Sequence, residues 1–204
     1  MKIKICGIND LSVLNHACDL GVDYVGFICA NESPRRISKK FLSSLSEFNF
    51  KDVIPVFVLV NPSIDAVYKL IDMLPQAILQ FHGEETDNFC KQFNRPFWKT
   101  ILIKDNNSHS LADNFPSAEG ILLDTFSNDQ KGGSGNAFNW DFIDSLDLSA
   151  RFILAGGINL DNLREAISIN PRCIDINSGV ESDLTIKDKI LMTKAVEIFN
   201  NGQV

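Results

Sequence analysis

Two side chains of this sequence are of types that move protons, and each stands where a strand-like run gives out: Cys6 at the end of KIKIC and Asp124 at the end of GILLD. A thiol with a pKa of about 8.5 needs a downward shift of one or two units to act as a base at neutral pH. A carboxyl group donates a proton there only where burial or a neighbouring negative charge raises its pKa. Each residue also has a plainer reading. Free cysteine is among the most buried residue types, and aspartate often caps a turn. His82 in LQFHGEE reads as an isolated histidine, a residue more often bonded to backbone than to a metal. The turns LAGGIN and DINSGVE place Gly156, Gly157, Ser178 and Gly179 after two late strands. Glycine lets a backbone approach a ligand closely, and amides at the start of a short helix suit a phosphate, so two such turns point to a phosphorylated small molecule. Arg35, Arg36, Lys39 and Lys40 form a local basic spot able to hold a small anion.

These residues need a scaffold, and the apolar pattern supplies one. Strand-like runs cover 2–6, 22–28, 53–60, 77–81, 97–103, 120–124, 151–155 and 173–177, eight in all. Helical patterns lie between them, with start signals at Asp10, Ser38, Ser63 and Asn159, and a last pattern, IKDKILMTKAVEIF, closes the chain. DNNSHSLADNF is polar and weakly periodic, and DTFSNDQKGGSGNAFNW is a long Gly- and Asn-rich connection of the kind that covers binding sites. Short apolar strands alternating with helices imply a parallel sheet covered on both faces. Polar or reactive residues end six of the eight strands, which one crevice of an open sheet would not gather. The expected fold is therefore α/β, a single-domain (β/α)₈ TIM barrel over residues 1–204, with its chemistry at the C-terminal face. Alternation along β-strands puts Lys4 on the face of Cys6 and Asp175 on that of Asn177, so closure of the barrel should bring Lys4 and Asp175 together inside it.

Composition narrows the partners. A net charge of −7 argues against general nucleic-acid binding, and no apolar run approaches the length of a membrane helix. The pattern starts at Lys2, leaving no expected signal peptide. Five cysteines, an odd number without a C-x-x-C pair, fit a reducing cytoplasm better than a disulfide framework or zinc site. Cys18, Cys29, Cys90 and Cys173 fall inside helix or strand patterns and read as core or partly buried residues.

Taken in order, KICGI, SPRRIS, LQFHGEE, LLD, GGSGNAFNW, LAGGIN, SGVE and the KD at 187–188 resemble the phosphoribosylanthranilate isomerases of tryptophan biosynthesis. The resemblance spans essentially the whole chain. It implies a compact single-domain barrel and an Amadori rearrangement of an aminoaldose to an aminoketose, with no cofactor and no metal. Asp124 matches the general acid and Cys6 the general base. Gly156, Gly157, Ser178 and Gly179 match the phosphate-holding residues and Arg35 faces the anthranilate end, with His82 and Asp175 completing the substrate-binding set. The implied enzyme is cytoplasmic, a monomer or homodimer acting on a small phosphorylated molecule, with neither nucleic acid nor membrane as partner. Three departures from that family's pattern stand out: FICANESPRR lacks the aromatic residues common before its S-x-R, Asn177 replaces a serine, and Ile186 stands where a glycine often precedes Lys-Asp. Two other readings compete. Another phosphosugar isomerase or epimerase shares the barrel, although a metal-dependent one needs paired His and Asp ligands where only His82 is present. A non-catalytic phosphate-ligand sensor predicts loss of the base or acid, whereas Cys6 and Asp124 are both present.

Overall fold

Strand β1 (Lys2–Ile5) is followed by β2 (Tyr24–Ile28), β3 (Ile54–Leu59), β4 (Ile78–Phe81), β5 (Phe97–Ile103), β6 (Gly120–Thr125), β7 (Phe152–Leu154) and β8 (Cys173–Ile176). Each runs parallel to the next, and β8 returns to pair with β1, so the sheet is a closed barrel. The computed structural model of the chain describes residues 1–104, 108–125 and 151–202. The long connection after β6, with its GGSG, lies almost wholly outside the described residues.

Alternation along the strands sorts side chains into two compartments. Ile3, Ile5, Phe27, Phe57, Leu79, Phe81, Ile121 and Ile174 point outward into the layer under the helices. Tyr24, Val56, Ile78, Trp98, Leu122 and Ile153 fill the lower interior, where the Tyr24 and Trp98 rings meet edge-on at 4.9 Å. Above this apolar plug lie Lys4, Gln80, Thr100 and Asp175, all buried, and above them Cys6 packs with Ile28 and Val58. The barrel is thus dry at its base and polar toward the strand C-termini, which is where barrel chemistry is built.

The helices start largely where the sequence places them. Asp10 caps α1 (Leu11–Asp19), accepting from the amides of Ser12 and Val13. Ser38 caps α2 (Lys39–Leu45) and Ser63 caps α3 (Ile64–Met73). Helix α4 (Asp87–Lys91) has a Thr86 cap that the periodicity did not mark. The weak DNNSHSLADNF segment forms a 3₁₀ helix over Ser108–Asn114, and its residues 105–107 lie outside the described ones. Asn159 is a correction: α5 (Leu163–Ser168) begins after Asn162, and Asn159 instead closes a tight turn by accepting from the Asp161 amide at 2.9 Å. Ile186 and Lys187, expected inside the last helix, form strand β10 (Ile186–Lys187), antiparallel to β9 (Glu181–Asp183); α6 (Lys189–Asn201) starts after its Asp188 cap.

Candidate active site

The expected meeting of strands one and eight is present. Lys4 and Asp175 are register partners, and the fully buried Lys4 Nζ donates to Asp175 Oδ2 at 2.6 Å and to Gln80 Oε1 at 2.8 Å. Burial alone works against this ammonium, but Asp175 and the adjacent Cys6 sulfur outweigh it and hold the Lys4 pKa above its ordinary range. The other Asp175 oxygen, Oδ1, is buried with no hydrogen-bond partner among the described residues.

Cys6 lies one pleat beyond Lys4 and is buried. The strand next to it carries Gly26, where a Cβ would come within 2.6 Å of the Cys6 sulfur and 3.1 Å of Lys4 Cε. Glycine at this place is what leaves room for the thiol and ammonium side by side. The expected lowering of the thiol pKa is not what this environment produces. Burial pushes Cys6 up, and the attraction of Lys4 and Lys187 only partly offsets it. Cys18, Cys90 and Cys173 are buried and Cys29 partly so, as their patterns implied.

Asp124 projects from β6, register partner of Leu102, with 28% of its side chain exposed. His82 Nε2 lies 3.6 Å from Asp124 Oδ2, while Nδ1 lies 3.0 Å from Thr100 Oγ1. Burial, reinforced by the charge of Lys4, pushes the His82 pKa down to about 4, so the ring is neutral at pH 7. His82 therefore engages side chains of the barrel interior rather than backbone, contrary to the plainer reading of an isolated histidine.

A second cluster ties the loop after β2 to the loop after β8. Arg35 is buried and grips Glu181 through both edges of its fork, Nε to Oε1 at 2.8 Å and Nη2 to Oε2 at 2.7 Å, whereas Arg36 is exposed. Lys187 donates to Glu181 Oε1 at 2.7 Å and to the Asn177 backbone and side-chain oxygens at 2.8 Å each. Burial opposes the Glu181 charge, but the hydrogen bonds from Arg35 and Lys187 prevail and hold its pKa down at about 2. The Asn177 departure thus has a local role, since its amide oxygen is a ligand for Lys187. A Cβ at Gly7, the residue after Cys6, would lie 3.3 Å from Arg35 Cδ and 3.4 Å from Lys187 Nζ, which puts this cluster beside the thiol.

Gly156 and Gly157 both have positive φ, 83° and 68°, and the Asn159 and Asn162 side-chain amides donate to the Gly157 carbonyl at 3.3 and 3.0 Å. A Cβ at Gly179 would sit 2.0 Å from the Ile158 carbonyl oxygen, so the two late loops touch at this glycine, and Asn159 and Gly179 form an isolated bridge there. The short-helix start expected to present amides is absent from both turns among the described residues: α5 begins beyond the glycine turn, and the eighth loop leads into β9.

Gln80, Thr100, Glu181 and Lys187 carry much of this site and were not singled out from the sequence. Alternation within LQFH does place Gln80 on the face of His82, a signal that was available. Glu181 and Lys187 stood in quoted motifs, but nothing in their spacing showed that they meet.

A thiol and a carboxylate stand at the strand ends of a closed (β/α)₈ barrel whose seventh strand is followed by a pair of glycines in the left-handed region, so the class that the fold defines is the TIM barrel with its polar residues gathered at the C-terminal face. Residues 3–198 match the family model described as N-(5'phosphoribosyl)anthranilate (PRA) isomerase, and the chain belongs to that family. The N-(5'-phosphoribosyl)anthranilate isomerase of Legionella pneumophila strain Paris is 40% identical over 201 residues, 97% of this chain and 96% of that protein. The phosphoribosyl anthranilate isomerase structure from Thermotoga maritima superposes with a TM-score of 0.89 at 29% identity, covering 98% of this chain and 99% of that one. A phosphoribosyl anthranilate isomerase solved in complex with reduced 1-(o-carboxyphenylamino)-1-deoxyribulose 5-phosphate matches with a TM-score of 0.86 at 26% identity, covering 98% of this chain and 99% of that one. Among the described residues no helix is long and apolar enough to cross a membrane.

Proposed function

We propose that the chain converts N-(5'-phosphoribosyl)anthranilate to 1-(2-carboxyphenylamino)-1-deoxyribulose 5-phosphate, a step of tryptophan biosynthesis, by proton transfers between Asp124, Cys6 and the sugar. The observation that carries this reading is the family match along 3–198 in a chain with a carboxylate and a thiol at strand ends. Asp124 protonates the ribose ring oxygen, the C1'–O bond breaks, and the anthranilate nitrogen becomes an iminium. Cys6, as thiolate, takes the C2' proton, and its electron pair flows to the nitrogen to give an enolamine that tautomerises to the ketone. The buried thiol gives its own proton to solvent to reach the thiolate form once the iminium joins Lys4 and Lys187 as a positive neighbour.

The cradle of Gly156, Gly157, Ser178 and Gly179 receives the phosphate. Asp175 offers its unpartnered Oδ1 to a sugar hydroxyl, and His82 stands beside Asp124 at the reacting end. Arg35 directs positive charge toward the anthranilate end. Its Nε and Nη2 are engaged by Glu181, so Arg35 acts on that end through its charge. No cofactor enters the scheme. The enzyme works in the cytoplasm as a monomer or homodimer.

The test is direct. Freshly prepared phosphoribosylanthranilate is added and loss of its fluorescence followed. Catalysed loss with formation of the aminoketose supports the reading. A rate no greater than without protein overturns it in favour of a sensor, and turnover only of another phosphosugar assigns the barrel to a different isomerase.

A further inference from the structure

Inside the barrel a run of hydrogen bonds leads from the β1–β8 ion pair to His82, whose Nε2 lies 3.6 Å from the carboxylate on β6, and the chemistry of the lysine and the amide sets the direction of its first steps. Lys4 Nζ has only hydrogens to give, so the Gln80 atom it meets at 2.8 Å is the amide oxygen. The amide nitrogen then faces onward, 3.4 Å from Thr100 Oγ1 and 3.5 Å from His82 Nδ1. That nitrogen is a donor only. Thr100 Oγ1 accepts one of its hydrogens and has its own to give to Nδ1 at 3.0 Å. With the threonine hydrogen given to Nδ1 and the donor-only amide nitrogen beside it, Nδ1 presents its lone pair. In a neutral ring the hydrogen is then on Nε2, the atom directed at Asp124 Oδ2 from 3.6 Å. Gln80 and Thr100 are both buried, so water does not compete for these bonds.

We propose that Gln80 and Thr100, oriented by Lys4, are positioning residues that fix His82 as the Nε2–H tautomer and through its N–H aim Asp124 at the substrate. The inference rests on the reading of Asp124 as general acid. At 3.6 Å the N–H is longer than a hydrogen bond, and such contacts tighten when charge develops in the complex. As Asp124 gives its proton to the ring oxygen it becomes a carboxylate, and the His82 N–H then has a stronger acceptor. The interaction is therefore worth more in the transition state than in the ground state, which places its effect in kcat.

The experiment labels histidine with ¹⁵N and reads the ring tautomer from two-bond proton–nitrogen spectra, with His82→Gln assigning the signals, alongside steady-state kinetics on phosphoribosylanthranilate. The wild-type ring is expected as Nε2–H near pH 7.5. Thr100→Val removes the hydroxyl at nearly constant shape: it should shift the ring toward the other tautomer and lower kcat about tenfold or more with KM within about twofold. Thr100→Ser should restore both readouts. Gln80→Glu reverses the run, because a carboxylate accepts from the threonine hydroxyl, which then accepts from Nδ1–H. It carries the same test if the valine variant does not fold. A wild-type ring protonated on Nδ1, or variants whose tautomer and kcat do not change together, overturns the proposal. Failure of the underlying reading looks different: a wild type without turnover, or an active Asp124→Asn, leaves the spectra to decide the tautomer alone.

Discussion

Cys6 and Asp124 need opposite tuning, and the structure shows how differently the two are housed. The thiol is buried among Lys4, Ile28 and Val58, while Asp124 stands at the mouth beside His82. Because burial pushes the Cys6 pKa up, the resting group is a thiol, and the positive charge that frees its proton must come in part from the substrate. Cys6→Ala and Asp124→Asn are expected to lower kcat by about 10²–10⁴ each, with circular dichroism unchanged. Cys6→Ser separates chemistry from packing. It keeps the shape of the side chain, so a mere space-filler would tolerate it, whereas a base of much higher pKa loses nearly as much activity as the alanine variant. Retention of more than about a tenth of wild-type kcat by any of the three contradicts the role assigned to that residue.

At the scale of elements, the loops after β2 and β8 are joined by one carboxylate, and this distinguishes Arg35 from Arg36. A guanidinium meets the two Glu181 oxygens with two nitrogens, an arrangement that a lysine ammonium cannot copy. Arg36 is exposed, and exposed charges contribute little. Arg35→Lys is expected to lower kcat/KM about tenfold or more, and Arg36→Lys to stay within about twofold; equal effects, or a larger one at Arg36, would show that the tie does not shape the site. Glu181 has a pKa held below its unfolded value, so its contribution to stability is complete above about pH 4.5 and is lost as pH falls toward about 2. The elements themselves were largely readable from the sequence, because each strand is a short apolar run and Asp10, Ser38 and Ser63 are side-chain caps placed just before a periodic segment. Asn159 misled because an asparagine closes a turn as readily as it caps a helix, and the following Asn162 took the boundary. Cys6 and Asp124 were visible as unusual residues at strand ends. Glu181, Lys187 and Thr100 were not, since their roles arise from partners 146, 10 and 18 residues away.

For the whole molecule, the seam that closes the barrel carries a buried ion pair beside the Cys6 thiol. Lys4 and Asp175 face each other across the β1–β8 seam at 2.6 Å, with side-chain exposures of 0% and 7%. Breaking such a pair from one side strands a buried charge, which costs about 3–5 kcal/mol, while replacing both partners with apolar residues of similar volume is often neutral or stabilising by about 1–4 kcal/mol. Lys4→Met and Asp175→Leu are therefore expected to be strongly destabilised as single variants in urea unfolding, and Lys4→Met/Asp175→Leu to recover most of the loss. Activity should follow the opposite course. The double variant lacks the ammonium beside Cys6 and the donor that orients Gln80, so its kcat should stay at least about a hundredfold below wild type, the loss expected when a positioned proton-transfer group fails. A double variant as unstable as the singles would show that the ion pair itself, rather than a filled seam, closes the barrel. One that regains both stability and turnover would show that the charges at the seam serve neither the thiol nor Gln80.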